Sequence, residues 1–145
     1  MTNLTLMIPV VLLALGLTPA FAADTAPDPA AVLQEARAAI DAGDYSGAMA
    51  SLAEVVAADP QNADALNLLG YASRKSGDMT NAASYYQAAL AINPNHFGAL
   101  EYQGEMFVML NQMDDAKANL AKLEAECAPC EEYDDLAKAL TDAGA

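Results

Sequence analysis

Cys127-Ala128-Pro129-Cys130 is the segment of this chain best suited, by residue type and spacing, to carry chemistry. Two thiols in a Cys-x-x-Cys arrangement can cycle between dithiol and disulfide, and Cys130 falls near the start of a helix, where a thiolate is stabilised. The context argues against catalysis. A redox pair of this kind belongs after a strand in a βαβ setting, no strand is readable here, and Cys127 closes the preceding helix. A structural disulfide is the favoured reading and an exchanging dithiol the alternative; two thiols alone do not complete a zinc site. Met106, Met109 and Met113 are soft donors that would suit copper. Methionine is also an adaptable gap filler, and Met113 falls at a repeating core position, so packing explains the three more simply. His96 is the sole histidine, which excludes most hydrolase constellations, and it reads as a capping or surface residue. No Ser-His-Asp set or glycine-rich phosphate loop is present. Asp114-Asp115 and Asp134-Asp135 read as solvated helix starts, where acids suit the helix dipole. No cofactor or metal is expected.

A sequence period governs where these residues stand. Gly43, Gly77 and Asn111 are 34 apart, as are Ala48, Ala82 and Ala116, and Tyr45, Met79 and Met113. Pro60 and Pro94 keep the step, and a third proline slips by one to Pro129. Self-similarity at this length marks stacked helix-turn-helix units, none of which buries its apolar face alone. Local punctuation supplies the boundaries. Asp28 caps and Pro29 opens a first helix to Asp41, closed by Gly43 in a left-handed conformation. A second helix, 45–58, stops at Asp59-Pro60 because the residue before proline avoids helical geometry. The same grammar predicts helices 63–76, 79–92, 97–110 and 113–126, with Asn111 in place of the turn glycine. A seventh helix, 130–142, reads as a terminal cap, with Leu136 and Leu140 on the sixth helix near Leu120 and Leu123. Its acids Glu131, Glu132, Asp134 and Asp135 are expected to form the outward polar face.

Residues 1–22 are set apart as a signal peptide. Leu4 to Leu17 is almost wholly apolar, and Ala20-Phe21-Ala22 offers the small residues that signal peptidase requires, placing the cut between Ala22 and Ala23. The first three residues carry no Lys or Arg, which departs from the usual pattern. The apolar run of about 14 residues falls short of the roughly 20 that span a bilayer, so no stable membrane insertion is expected after cleavage. Residues 23–28 form a short acidic leader. Both cysteines then lie in an exported region, periplasmic or secreted, where oxidation is the default. The signal segment has no charged side chain, so the net charge of −14 belongs to the remainder. So acidic a surface repels nucleic acid and anionic lipid.

The middle unit, with Leu66, Leu69-Gly70, Gly77, Ala82, Tyr86, Ala89 and Pro94, resembles the tetratricopeptide repeat. The third keeps Leu100, Gly104, Phe107, Ala116 and Leu120; the first, more loosely, keeps Val32, Ala36, Gly43, Ala48, Leu52, Val55 and Pro60. No unit has the family's frequent early tryptophan. The resemblance implies an all-α protein, a right-handed α-solenoid of three repeats (29–62, 63–96 and 97–128) with a capping segment, 129–145. Small residues at 36, 70 and 104 and at 48, 82 and 116 would let paired helices approach closely. The resemblance also implies a concave groove made by the first helix of each unit. Its positions fall on Leu33, Arg37, Ile40 and Asp41, then on Asn67, Tyr71, Arg74 and Lys75, then on Glu101, Glu105, Val108 and Met109. Three of the six Lys and Arg are in that set, and such a positive spot would select a carboxylate of a protein or peptide partner. The alternative for Arg74 and Lys75 is that they only offset the dipole at their helix end. The family's paired Lys and Asn clamp is not reproduced. The resulting expectation is a non-catalytic periplasmic adaptor; the alternative is a thiol-redox accessory protein using Cys127 and Cys130.

Overall fold

Capping side chains decide where most of these helices begin. The computed structural model describes residues 28–145, so the signal segment 1–22 and the leader up to residue 27 lie outside the described residues. The described chain is all-helical: α1 (Pro29–Asp41), α2 (Tyr45–Ala58), α3 (Ala63–Lys75), α4 (Met79–Ile92), α5 (Phe97–Met109), α6 (Met113–Glu126) and α7 (Glu131–Asp142). Asp28, Asp44, Asn62 and Asp78 each accept a hydrogen bond from a first-turn backbone N–H of the helix that follows. His96 does the same for α5 through Nδ1, which accepts from the Ala99 N–H at 3.2 Å, so the lone histidine is a helix cap. Such caps satisfy donors that the helix itself leaves orphaned. The turns at Gly43, Gly77 and Asn111 have φ of 80°, 88° and 58°, the left-handed region that closes a helix. Two helices end one residue earlier than their punctuation suggests, at Lys75 and Met109, and Cys130 is the extended N-cap of α7 rather than its first residue.

Helices pack in successive pairs, and α3 also touches α1 and α5, which in turn touches α7. The result is an α-solenoid whose core runs along its length. At one end Ala36, Ile40, Ala48, Leu52, Val55, Leu68 and Leu69 cluster; at the other Leu100, Ala116, Leu123, Leu136 and Leu140 do. Leu136 and Leu140 thus take their expected places, with Leu120 packed beside them. Met106 is buried and Met113 packs against the second cluster, whereas Met109 is exposed.

Small residues set the closest approaches. A Cβ on Gly70 would stand 2.5 Å from the Tyr86 ring, and Tyr86 is fully buried, so α3 and α4 meet where only glycine fits. Gly104 departs from that pattern. A Cβ there would stand 2.5 Å from Leu136 of α7, rather than against the second helix of its own unit. Gly70→Ala is expected to lower stability by about 1–3 kcal/mol, because overpacking against a ring that cannot withdraw outweighs the roughly 0.5–1 kcal/mol of backbone gain. Chemical denaturation checks it: an unchanged or higher midpoint would mean that the Tyr86 ring has room to shift.

Candidate functional site

The helices α1, α3, α5 and α7 follow one another along a single face, and that face holds two adjoining clefts. The first, about 310 Å³, lies between α3, α5 and α7. Asp64 and Asn67 line it from α3, Gly98, Glu101 and Tyr102 from α5 with His96 at its cap, and Glu131, Glu132 and Asp135 from α7. The second, about 250 Å³, is lined by Ile40, Asp41, Leu68 and Tyr71. Arg37 and Tyr102 line both and join them into one trough. The Tyr71 and Tyr102 rings are 4.6 Å apart, tilted by 57°.

Charge on this face is sorted by which acids have a partner. Arg74 is buried at 8 % exposure, and its Nη2 donates to Glu105 Oε2 at 2.6 Å. Its guanidinium lies 5.3 Å from the Tyr71 ring centroid and 5.8 Å from that of Tyr102, and Nη1 donates to the Met109 sulfur at 3.8 Å. Burial works against the Arg74 charge, but Tyr86 and Glu105 outweigh it and the pKa is raised. Glu101, one turn before Glu105, has no hydrogen bond or ion pair among the described residues, and Arg74 helps its carboxylate only weakly. Glu101 is 7 % exposed, and burial first, then Glu105, Asp135 and Glu132, push its carboxyl up to about 8. Loss of hydration disfavours the charged form, and like charges add to that. Burial and the neighbouring Glu101 push the Tyr102 phenol up to about 12. The His96 Nδ1 is occupied by the Ala99 N–H, so in the neutral ring Nε2 carries the hydrogen and donates to Asp64 at 3.0 Å. Asn67 Oδ1, Arg74 Nε and the Tyr86 hydroxyl are buried without hydrogen-bond partners among the described residues.

Residues 33–97, the stretch that supplies α3 and most of what surrounds it, match the family model described as tetratricopeptide repeat. That stretch carries tetratricopeptide repeats. It is also 38 % identical over 58 residues to cellulose synthase operon protein C of Escherichia coli strain K12, and equally to the putative cellulose synthase operon protein C of Escherichia coli O157:H7. That similarity covers 40 % of this chain, which spans 5 % of the length of those curated relatives.

The repeat period explains which residues meet at the clefts. Asn67, Glu101 and Asp135 occupy one repeat position, Asp64, Gly98 and Glu132 another, and all six line the first cleft. Of the expected polar face of α7, Glu131 and Asp135 are exposed as expected, and with the half-buried Glu132 they line the first cleft. They stand there because α7 packs on α5 as well as α6, where the first helix of a further unit would stand. The signal is present in the sequence, since 97 and 131 differ by one full period, but treating α7 as a cap ends the count at α6.

Of the groove residues expected from the sequence, Arg37, Asn67, Tyr71 and Glu101 line the clefts, as do Ile40 and Asp41. Leu33 does not; it is half-buried against the core of α1, α2 and α3. Arg74, Glu105 and Met109 form their own contact beside the tyrosines, and Lys75 is exposed with its Nζ 5.9 Å from the Tyr71 ring. The expectation that Arg74 waits for a partner's carboxylate is corrected too, because Glu105 already supplies one. Asp64, His96 and Tyr102 join the site without belonging to the expected groove set. Tyr102 repeats the position of Leu68, which is likewise outside that set.

Proposed function

We propose that this chain is an exported, non-catalytic adaptor that holds a protein or peptide segment on the face of α1, α3, α5 and α7. The observation that carries the reading is the continuous trough of two adjoining clefts, with Tyr71 lining the second and Tyr102 lining both. Aromatic side chains of this kind offer large contact area at low entropic cost and commonly dominate interface energetics. Repeat arrays of stacked helices use such extended faces for binding. Export rests on the apolar run Leu4–Leu17 and on Ala20-Phe21-Ala22. No helix of the described residues is long and apolar enough to cross a membrane. Cys127 and Cys130, with Cα atoms 5.6 Å apart in the α6–α7 turn, are read as a structural disulfide that settles where α7 docks.

The test is selection of random peptides displayed against the purified protein, followed by titration of the enriched peptides. Tyr71→Ala with Tyr102→Ala should weaken them at least tenfold, a loss of about 1.4 kcal/mol. Lys122→Glu, exposed on α6 away from both clefts, should leave them unchanged. Circular dichroism separates lost binding from lost folding. Equal affinity of the folded tyrosine variant and the parent protein would place the interface elsewhere.

A further inference from the structure

The first cleft has a chemistry that peptide binding in general does not require. Asp64, Glu101, Glu131, Glu132 and Asp135 surround it, against Arg37 and a histidine already engaged at both ring nitrogens. Two acceptors at its wall are more informative than the charge. Asn67 is 4 % exposed, and its Oδ1 has no hydrogen-bond partner among the described residues. Glu101, 7 % exposed, likewise makes no hydrogen bond or ion pair among them. A buried acceptor without a donor is unfavourable, so this cleft is suited to a ligand that donates.

Resting on the reading of this face as peptide-binding, we propose that the cleft between α3, α5 and α7 receives a Lys or Arg side chain of the bound segment, its cationic head donating to Asn67 and Glu101 among the carboxylates of α7. The same face already holds one such group. Arg74 lies against Tyr71 and Tyr102 with Glu105 at 2.6 Å, and Glu101 beside Tyr102 repeats that acid-and-ring pairing one turn earlier. Tyr102 lines both clefts, so the aliphatic stem of the incoming side chain would run along its ring from the second cleft, where Ile40 and Leu68 stand. A metal ion fits less well. Calcium takes 6–8 oxygens at 2.3–2.6 Å, whereas the sole group of three or more His, Cys, Asp or Glu donors within 4.8 Å of one another among the described residues is Cys127, Cys130 and Glu132. The cleft's carboxylates surround about 310 Å³ instead, room for a side-chain head and stem. The negative field of a chain with net charge −14 also favours encounter with basic segments.

Burial first, then the acids Glu105, Asp135 and Glu132, hold the Glu101 carboxyl up, opposed by Arg74, and this gives the proposal a proton signature. A bound cation stabilises the ionised form, so binding near pH 7 should release protons.

The probes are capped pentapeptides, acetyl-Leu-Tyr-Xaa-Leu-Ala-amide, with Lys, Arg, Gln or Glu at Xaa, titrated calorimetrically into the purified protein at low salt in two buffers of different ionisation enthalpy. Lys and Arg peptides should bind at least tenfold more tightly than Gln and Glu peptides, with proton release for the cationic pair alone. Glu132→Gln with Asp135→Asn should cut that preference below threefold with the helical content unchanged. Arg37→Ala, which removes a competing charge from the cleft, should raise it severalfold. That sign separates this site from a carboxylate receptor, for which Arg37→Ala would weaken binding. Equal binding of all four peptides would overturn the cation site while leaving a peptide face standing. If no probe binds and peptide selection also enriches nothing, both readings fall. Saturable sub-millimolar binding of calcium chloride alone, abolished by the Glu132→Gln and Asp135→Asn pair, would overturn the proposal in favour of a metal site.

Discussion

Replacing Leu136 with Ala is expected to lower the unfolding free energy by about 2–5 kcal/mol, the cost of deleting a fully buried leucine and leaving a cavity. Leu136 has no exposed surface and packs with Leu100, Leu123 and Leu140, so it joins α7 to α5 and α6 at once. Its methyl groups also lie where a Cβ on Gly104 would fall, the nearest at 2.5 Å. Gly104→Ala alone should therefore destabilise by overpacking, by about 1–2 kcal/mol, since the clashing atoms are the movable end of a side chain. The double variant should be less destabilised than the two single effects added, because the new methyl enters space that the leucine has left. A double-mutant cycle by urea denaturation measures that coupling. Strict additivity would mean that α7 docks on α5 less closely than described. The consequence reaches the first cleft, because Glu131, Glu132 and Asp135 line it only while α7 is docked.

The second large effect is a difference in sign between two glutamates one helical turn apart. Glu105→Gln should destabilise the protein by about 1–3 kcal/mol at pH 7, because it leaves the buried Arg74 charge without its carboxylate. Glu101→Gln should stabilise it. The folded carboxyl titrates at about 8, against 4.5 for the ordinary group. The unfolded chain therefore releases this proton first as pH rises, and the parent protein loses stability between about pH 4.5 and 8. Below that window Glu101 is protonated in both states and the substitution should change little. Near pH 8 the variant should be more stable by about 2–4 kcal/mol, somewhat less than the full shift converts to, since the cleft is open to water. Thermal melts at pH 4.5 and pH 8 check it. A Glu101→Gln midpoint equal to the parent's at both pH values would show that the carboxyl is solvated and ordinary. The same substitution should also weaken cationic peptides, so stability and binding would move in opposite directions at one residue.

The amino-acid sequence by itself determined the helices and their stacking. Caps at Asp28, Asp44, Asn62 and Asp78, left-handed turns at Gly43, Gly77 and Asn111, and the stops before Pro60 and Pro94 are decided within a few residues of backbone. The 34-residue period then dictates which faces recur, and the resemblance to the tetratricopeptide repeat implied groove positions of which Arg37, Asn67, Tyr71 and Glu101 line the clefts. Tertiary structure decided which charges on that face are already answered. Arg74 and Glu105 are 31 residues apart, and only the packing of α3 on α5 brings them to 2.6 Å. That contact turned an expected carboxylate receptor into an internal ion pair and left the neighbouring Glu101 without an ion-pair partner among the described residues. Packing likewise set Glu131, Glu132 and Asp135 of α7 along the first cleft, because Leu136 docks against Gly104 on α5. Local dihedral preference and periodicity are written along the chain. Neutralisation and desolvation depend on distances between side chains from different helices, which exist only once the helices have packed.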